Sequence, residues 1–350
     1  MSVQIAAASP VEKTSARPFF VAGGVGALLV ACLSFLPAAR GGASVGQDGN
    51  WLAELVARLA GALPVSWPPE TALMVFAAIF MSLLISWLYE RLLYNDWTTL
   101  GALVFVAAFT ANAAIAGIVA SGQWAIATMV ACILVVPGIR RIESVGDVQA
   151  NMSFGLVLPF LFLAGPAMAP LIPPLALFGA LADRDARRDI RAFIAMYLVA
   201  IMPTLLVLAG MVGMFGLDET IRIVTEIYVP AFTPVPAGEG AIHALSTVAV
   251  YTILPFALLI GAYMFAVDRR WQPVSAVAVL ALPLYLILGA RFFGWPMAPT
   301  LPLVAFLGGF ASWLSVARLR PNFRRLALAL MILTAALSWT PKILPLLAGP

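Results

Sequence analysis

Ten long apolar stretches, at about residues 18–39, 71–89, 98–120, 123–138, 151–181, 192–216, 244–266, 272–290, 298–316 and 326–340, fill most of this 350-residue chain. A helix needs roughly 20 such residues to cross the hydrocarbon of a bilayer. With 63% hydrophobic residues, 10% charged residues and a mean hydropathy of +1.01, the chain carries more apolar surface than a water-soluble fold can hide. In lipid an unpaired backbone amide costs several kcal/mol, and the period-2 alternation of barrel strands is missing, so each stretch must be a helix. The expected fold is all-α: one polytopic membrane bundle of about ten spans over residues 1–350, preceded by a tail at 1–17.

The basic residues orient the bundle. With the N-terminus in the cytoplasm, Lys13, Arg17, Arg91, Arg140, Arg141, Arg184, Arg187, Arg188, Arg191, Arg269, Arg270, Arg318, Arg320, Arg324 and Arg325 fall inside. Arg40, Arg58, Arg222, Arg291 and Lys342 fall outside, and fifteen against five is a clear positive-inside bias. It requires residues 151–181 to enter and return to one side, because Arg140–Arg141 and Arg184–Arg191 flank them. That stretch is interrupted by Pro166, Pro170, Pro173 and Pro174, each removing a donor and clashing with the preceding turn, which predicts a pair of short helices. The C-terminus is then outside. The Arg-rich, Ala-rich composition points to a bacterial inner membrane.

Charge and cysteine content exclude several classes. The net charge of +4 follows from the cytoplasmic bias, and no basic run with interleaved aromatics marks a nucleic-acid partner. Cys32 and Cys132 both fall inside predicted spans, too few for a disulfide framework or a CxxC metal site. Leu29-Val30-Ala31-Cys32 matches a lipoprotein cleavage box, but Leu33-Ser34-Phe35-Leu36 continues the apolar run past the cysteine, which favours an uncleaved helix. No Asp, Glu, Lys, Arg or His stands near the middle of any span. Ion-coupled transporters and pumps work through such groups, so that class is disfavoured. The most polar interior side chains, Thr110 and Asn112, are expected to bond between helices.

Chemistry is therefore expected at a membrane surface, and the outer face has the two longest loops. Residues 40–70 hold Asp48 in a Gly/Gln/Asn-rich turn, then an amphipathic segment from Trp51 to Leu63 with Trp51, Leu52, Leu55, Val56, Leu59 and Leu63 on one side and the pair Glu54 and Arg58 on the other. This segment is expected to lie in the interface. Residues 217–243 repeat the design: Asp218, Arg222 and Glu226 recur every four residues, with Ile221, Val224, Ile227 and Tyr228 as the apolar side, ending at Pro230. His243, the only histidine, follows a Pro/Gly-rich connector.

The order of a single span, an outer loop with an interfacial helix, a proline-rich approach to the second span, tightly connected third and fourth spans, and Gly155-Leu156-Val157-Leu158-Pro159-Phe160-Leu161-Phe162-Leu163-Ala164-Gly165-Pro166 before an Arg-rich turn and Arg191-Ala192-Phe193 resembles the GT-C superfamily of membrane glycosyltransferases. The likeness covers residues 18–216 as a GT-C-like module; the outer loop 217–243 and the C-terminal spans 244–350 follow it. Asp48 stands alone, between Gln47 and Gly49, where the family keeps a paired acidic motif. The resemblance implies inverting sugar transfer from a polyprenyl-phosphate donor, with Asp48 as the catalytic base, Arg222, Arg291 and His243 as substrate-binding residues, and a divalent cation at the departing phosphate.

Each of these residues also has a purely structural reading. Asp48 is a good helix N-cap ahead of Trp51, and Arg222 is explained by ion pairs with Asp218 and Glu226. Arg291, next to Phe292, Phe293 and Trp295, would anchor a span at the headgroups. Two other functions stay open. A non-catalytic membrane subunit of a cell-envelope polysaccharide or secretion complex accounts for the incomplete acidic motif. A lipid-linked glycan flippase or polymerase would share an apolar groove and outer arginines, but normally lines its path with more cations.

Overall fold

A computed structural model of the 350-residue chain describes residues 16–34, 51–62, 67–120, 190–229 and 319–347, with isolated positions at 152, 155, 156 and 159. Among the described residues there are helices and no strands. In chain order they are α1 (Arg17–Ser34), α2 (Trp51–Gly61), α3 (Pro69–Tyr94), α4 (Thr99–Thr110), α5 (Ala113–Ala120), α6 (Ile190–Phe215), α7 (Leu217–Ile223) and α8 (Pro321–Leu347). A single π-helical turn, Val224–Tyr228, continues α7. Four of these, α1, α3, α6 and α8, are long and apolar enough to cross a membrane. The expected spans at 123–138, 151–181, 244–266, 272–290 and 298–316 lie outside the described residues.

The helix at the centre is α3. Half of its most apolar window is buried against other helices, compared with 17% in α1 and in α6. It packs along α1 and also meets α2, α4 and α5, while α8 packs on α4 and α5. Its start follows from Pro68 and Pro69: the second proline occupies the first turn, where its missing N–H costs nothing, and Glu70 lies near the positive end of the helix dipole. At 26 residues and about 1.5 Å per residue it is roughly 39 Å long, more than the hydrocarbon requires. α1 comes close to α3 at Gly26, where a β-carbon would stand 3.3 Å from the Ser82 hydroxyl. Cys32 is buried inside α1, which continues through it to Ser34.

A tight turn separates α3 from α4. Asn95 closes α3 with its side-chain amide on the Arg91 carbonyl at 2.7 Å, and Asp96 takes the left-handed conformation at φ 61° that Asp tolerates better than most residues. The Thr98 side chain then caps α4 by accepting from the Gly101 amide at 3.1 Å, and a β-carbon at Gly101 would stand 2.9 Å from that hydroxyl, so a larger residue there would shift the cap. Arg324 from α8 locks the turn. Its guanidinium donates to the carbonyls of Asp96 (2.6 Å), Asn95 (2.8 Å) and Leu319 (2.7 Å), and lies 5.7 Å above the Trp97 ring. Trp97 in turn meets Phe105 edge-on at 5.6 Å.

Residues 98–120, read from sequence as one continuous span, instead form two helices broken at Ala111 and Asn112. The reason is on α8. Ser338 accepts from the Ala113 amide at 2.9 Å and the Trp339 indole donates to the Ala111 carbonyl at 2.6 Å, so groups that a break would orphan have partners on another helix. The interhelical bonds expected of Thr110 are thus made by backbone next to it; the Thr110 hydroxyl donates to Val106 in its own helix at 2.8 Å. With Arg324 at Asn95–Asp96 and Ser338 at Ala113, α8 runs parallel to α4 and α5.

These contacts give a first prediction. Arg324→Ala removes three charge-assisted hydrogen bonds and should cost on the order of 2–4 kcal/mol, while Arg324→Lys should recover little because an ammonium cannot reproduce the planar fork. Exposed Arg325→Ala is the control and should stay within about 0.5 kcal/mol. Melting of the purified protein in one detergent checks both.

Candidate functional site

Three of the four candidate residues, Asp48, His243 and Arg291, lie outside the described residues, as does the side chain of Glu54. The fourth, Arg222, sits at the end of α7. The chain reaches it through Gly216, which takes φ +86°, a conformation costly for a residue with a β-carbon, and so turns sharply from α6 into α7. The Gly216 carbonyl then receives both the amide and the hydroxyl of Thr220, at 3.1 and 2.7 Å, which fixes the start of α7.

Arg222 is exposed and held by two carboxylates. Its Nε donates to Glu219 at 2.8 Å, its Nη2 donates to the other oxygen of Glu219, and its Nη1 donates to Glu226 at 3.3 Å. Sequence spacing named Asp218 and Glu226 as partners. Glu219 takes the place of Asp218 because three residues back along α7 brings a longer carboxylate side by side with the guanidinium, and the bidentate pairing follows. The hydrogen bond from Arg222 holds the Glu219 carboxyl below the usual glutamate range, against the smaller opposing effect of burial, and Glu219 in turn raises the Arg222 guanidinium. The buried side of the segment is Thr220 and Ile223, whereas Ile221, expected on the apolar side, is exposed. Asp218, Glu219 and Glu226 outnumber Arg222. A phosphate would therefore have to displace two carboxylates to reach this guanidinium.

The interfacial segment of the first loop is helical, as α2, and it reaches the same end of the molecule as α7. Arg58 donates from Nη2 to the carbonyl of Met214 in the last turn of α6 at 3.4 Å, a position where a cation also suits the helix dipole. Ala60 is buried in α2, and Leu59 stays 57% exposed beside it.

Between α1 and α3 runs a groove of about 740 Å3. Its walls are almost wholly apolar, with Gly23, Gly26 and Leu33 on one side and Val75, Ala78 and Leu83 on the other. The small residues are what leave room for it. Hydroxyls appear only at Ser34 and Thr71, at the end where α1 stops and α3 begins, and at Ser82. The connection bearing Asp48 leaves α1 at that same end. Among the described residues, no three His, Cys, Asp or Glu side chains come together as metal ligands.

Sequence reasoning missed Ser338 and Trp339, although a serine and an indole inside an otherwise apolar helix were a signal that backbone elsewhere needed partners. It also missed Arg324, one of four closely spaced arginines that spacing alone does not distinguish.

The ion pair predicts a pH effect. A carboxyl with a lowered folded-state pKa stabilises above its unfolded value and stops doing so as pH falls through the folded one. The difference in melting temperature between wild type and Glu219→Gln should therefore be constant through neutral pH and vanish at pH values below about 4.3. Melting curves across pH 3–8 read it out, and because the pair is solvent-exposed the difference should be small.

No family model, curated protein or solved structure matches the chain.

Proposed function

We propose that the protein is a membrane glycosyltransferase that takes sugar from a polyprenyl-phosphate donor at the outer face of a bacterial inner membrane. The observation that supports this reading is the apolar groove between α1 and α3, whose volume and lining suit a prenyl chain and whose hydroxyl-bearing end is where the connection carrying Asp48 leaves α1. A span followed by an interfacial helix and a proline-led second span is the arrangement on which the GT-C resemblance rests. Asp48 accepts the proton of an acceptor hydroxyl. That oxygen attacks the anomeric carbon with inversion, the bond from that carbon to the phosphate oxygen breaks, and the polyprenyl phosphate leaves with the electron pair. Arg291 and His243 are the outer-loop residues assigned to the phosphate.

One observation favours a second reading. Arg222, assigned to the donor phosphate from sequence, has its charge committed to Glu219 and Glu226. A non-catalytic subunit of an envelope polysaccharide or secretion complex needs no free cation there, and α7 would then serve as a partner surface.

Transfer of radiolabelled sugar from polyprenyl-phosphate donors by the purified protein separates the two. Asp48→Asn, which keeps size and most capping ability, should lower the rate by about 10²- to 10⁴-fold with stability changed by less than about 1 kcal/mol. Ala78→Phe should fill the groove and raise KM for long-chain donors more than for short-chain ones, with Glu54→Gln as the inert control. Equal rates for wild type and Asp48→Asn would remove Asp48 from catalysis, and no transfer from any donor would favour the subunit.

A further inference from the structure

The break between α4 and α5 has only a weak cause in its own sequence: Asn112 stands just before α5, where asparagine suits an N-cap better than a helix interior, and the Thr110 hydroxyl bonds back to Val106. From Ala107 to Ala113 the residues are Ala, Ala, Phe, Thr, Ala, Asn and Ala, with neither proline nor glycine, and alanine is the best helix former. Breaks in helices ordinarily trace to proline, to Gly/Ser pairs, or to a side chain inserted into the ladder. Here the last of these applies from outside, through Ser338 and Trp339.

The Ala113 amide and the Ala111 carbonyl each have two ways to pair. In the present one, the Ala113 amide goes to Ser338 (2.9 Å), the Ala111 carbonyl to Trp339 (2.6 Å), and the Asn112 amide turns back to Phe109 at 3.2 Å. In an unbroken helix the Ala113 amide would reach the Phe109 carbonyl, and the Ala111 carbonyl would receive the Ile115 amide. Neither arrangement strands the Ala113 amide or the Ala111 carbonyl, so for these backbone groups both are admissible in a membrane. Thr110, Asn112 and Ser338 are fully buried, so water does not compete for these bonds. Ser338 would not be stranded by letting go, because its hydroxyl already donates to Ala335 in its own helix.

We propose that residues 99–120 are a two-state element, broken while Ser338 and Trp339 of α8 latch it and continuous when they release it. Closing the break turns α5 about its axis. That moves Ala116 off Cys32, which it packs against together with Leu28, Ala111 and Trp339, and so couples the latch to the helix whose other side walls the groove. Packed elements of this kind switch between discrete arrangements instead of deforming smoothly.

The test uses the full chain in lipid nanodiscs, with Cys32→Ala and Cys132→Ala, spin-labelled at Leu103→Cys and Gly117→Cys. Leu103 is exposed, and a β-carbon at Gly117 meets nothing within 4 Å. A continuous helix places the two α-carbons about 21 Å apart. Pulsed dipolar distances should show a distribution away from the straight-helix value in wild type. The Ser338→Ala/Trp339→Phe double variant should move the population toward it by roughly tenfold or more, as expected for losing two buried hydrogen bonds, and each single variant should give an intermediate shift. A permanent break that α8 merely caps gives the opposite pattern: lower melting temperatures in the variants with an unchanged distance distribution. That result, or a wild type already at the straight-helix distance, overturns the proposal.

Discussion

Hydrocarbon offers a backbone amide no partner, and that constraint shapes this molecule more than any packing detail. Most of the described residues meet it in the ordinary way, in helices that close their own hydrogen bonds. At Ala111–Asn112 the ladder is interrupted, and the interruption is affordable only because α8 runs alongside with a serine and an indole at the right height. At its other end the same helix uses Arg324 to hold the Asn95–Trp97 turn, where three consecutive residues leave the helical ladder and one takes a positive φ. Thus α8 supplies side-chain partners at both places where α3, α4 and α5 lack backbone ones.

Which parts of this were legible beforehand follows from the kind of signal each leaves. Long apolar runs are robust, since twenty apolar residues cannot be placed elsewhere, and α1, α3, α6 and α8 fall on the stretches read from sequence at 18–39, 71–89, 192–216 and 326–340. The amphipathic segment after Trp51 and the break-and-restart around Pro68–Pro69 are local signals and were equally readable. The break inside 98–120 was not, because the groups that satisfy it lie more than 200 residues away at Ser338 and Trp339, and the local signal is a single asparagine in an apolar run. The charge count that put Arg91 and Arg318–Arg325 on one side is compatible with the Arg324 bonds, which bring that cluster to the end of α3. Of the candidate site, sequence identified Arg222 and Glu226 as neighbours but preferred Asp218 to Glu219, a choice between adjacent carboxylates that depends on side-chain length and direction.

The functional reading rests on juxtaposition at one end of the molecule. There α1 stops, α2 lies across, Arg58 reaches the last turn of α6, and the apolar groove opens beside its hydroxyl-bearing rim. A lipid-linked donor suits such an arrangement because its chain needs hydrocarbon-like walls while its phosphate and sugar need the polar surface. Arg222 contributes to this surface a locally neutralised cation within an acidic turn, which sets a shape and a charge pattern without by itself offering a phosphate site.

The pairing of α8 with α3, α4 and α5 at both ends is the claim on which the rest stands, and disulfide cross-linking in native membranes tests it most directly. With Cys32 and Cys132 replaced by alanine and a protease site inserted between residues 120 and 319, oxidation should join Ala113→Cys with Ser338→Cys, and a bifunctional thiol reagent with a spacer comparable to an arginine side chain should join Asn95→Cys with Arg324→Cys, keeping the two fragments together after cleavage. The exchanged pairs, Asn95→Cys with Ser338→Cys and Ala113→Cys with Arg324→Cys, should separate. Cross-linking of the exchanged pairs in preference to the first two would mean that α8 runs the other way, and would contradict both the latch and the fastening of the turn.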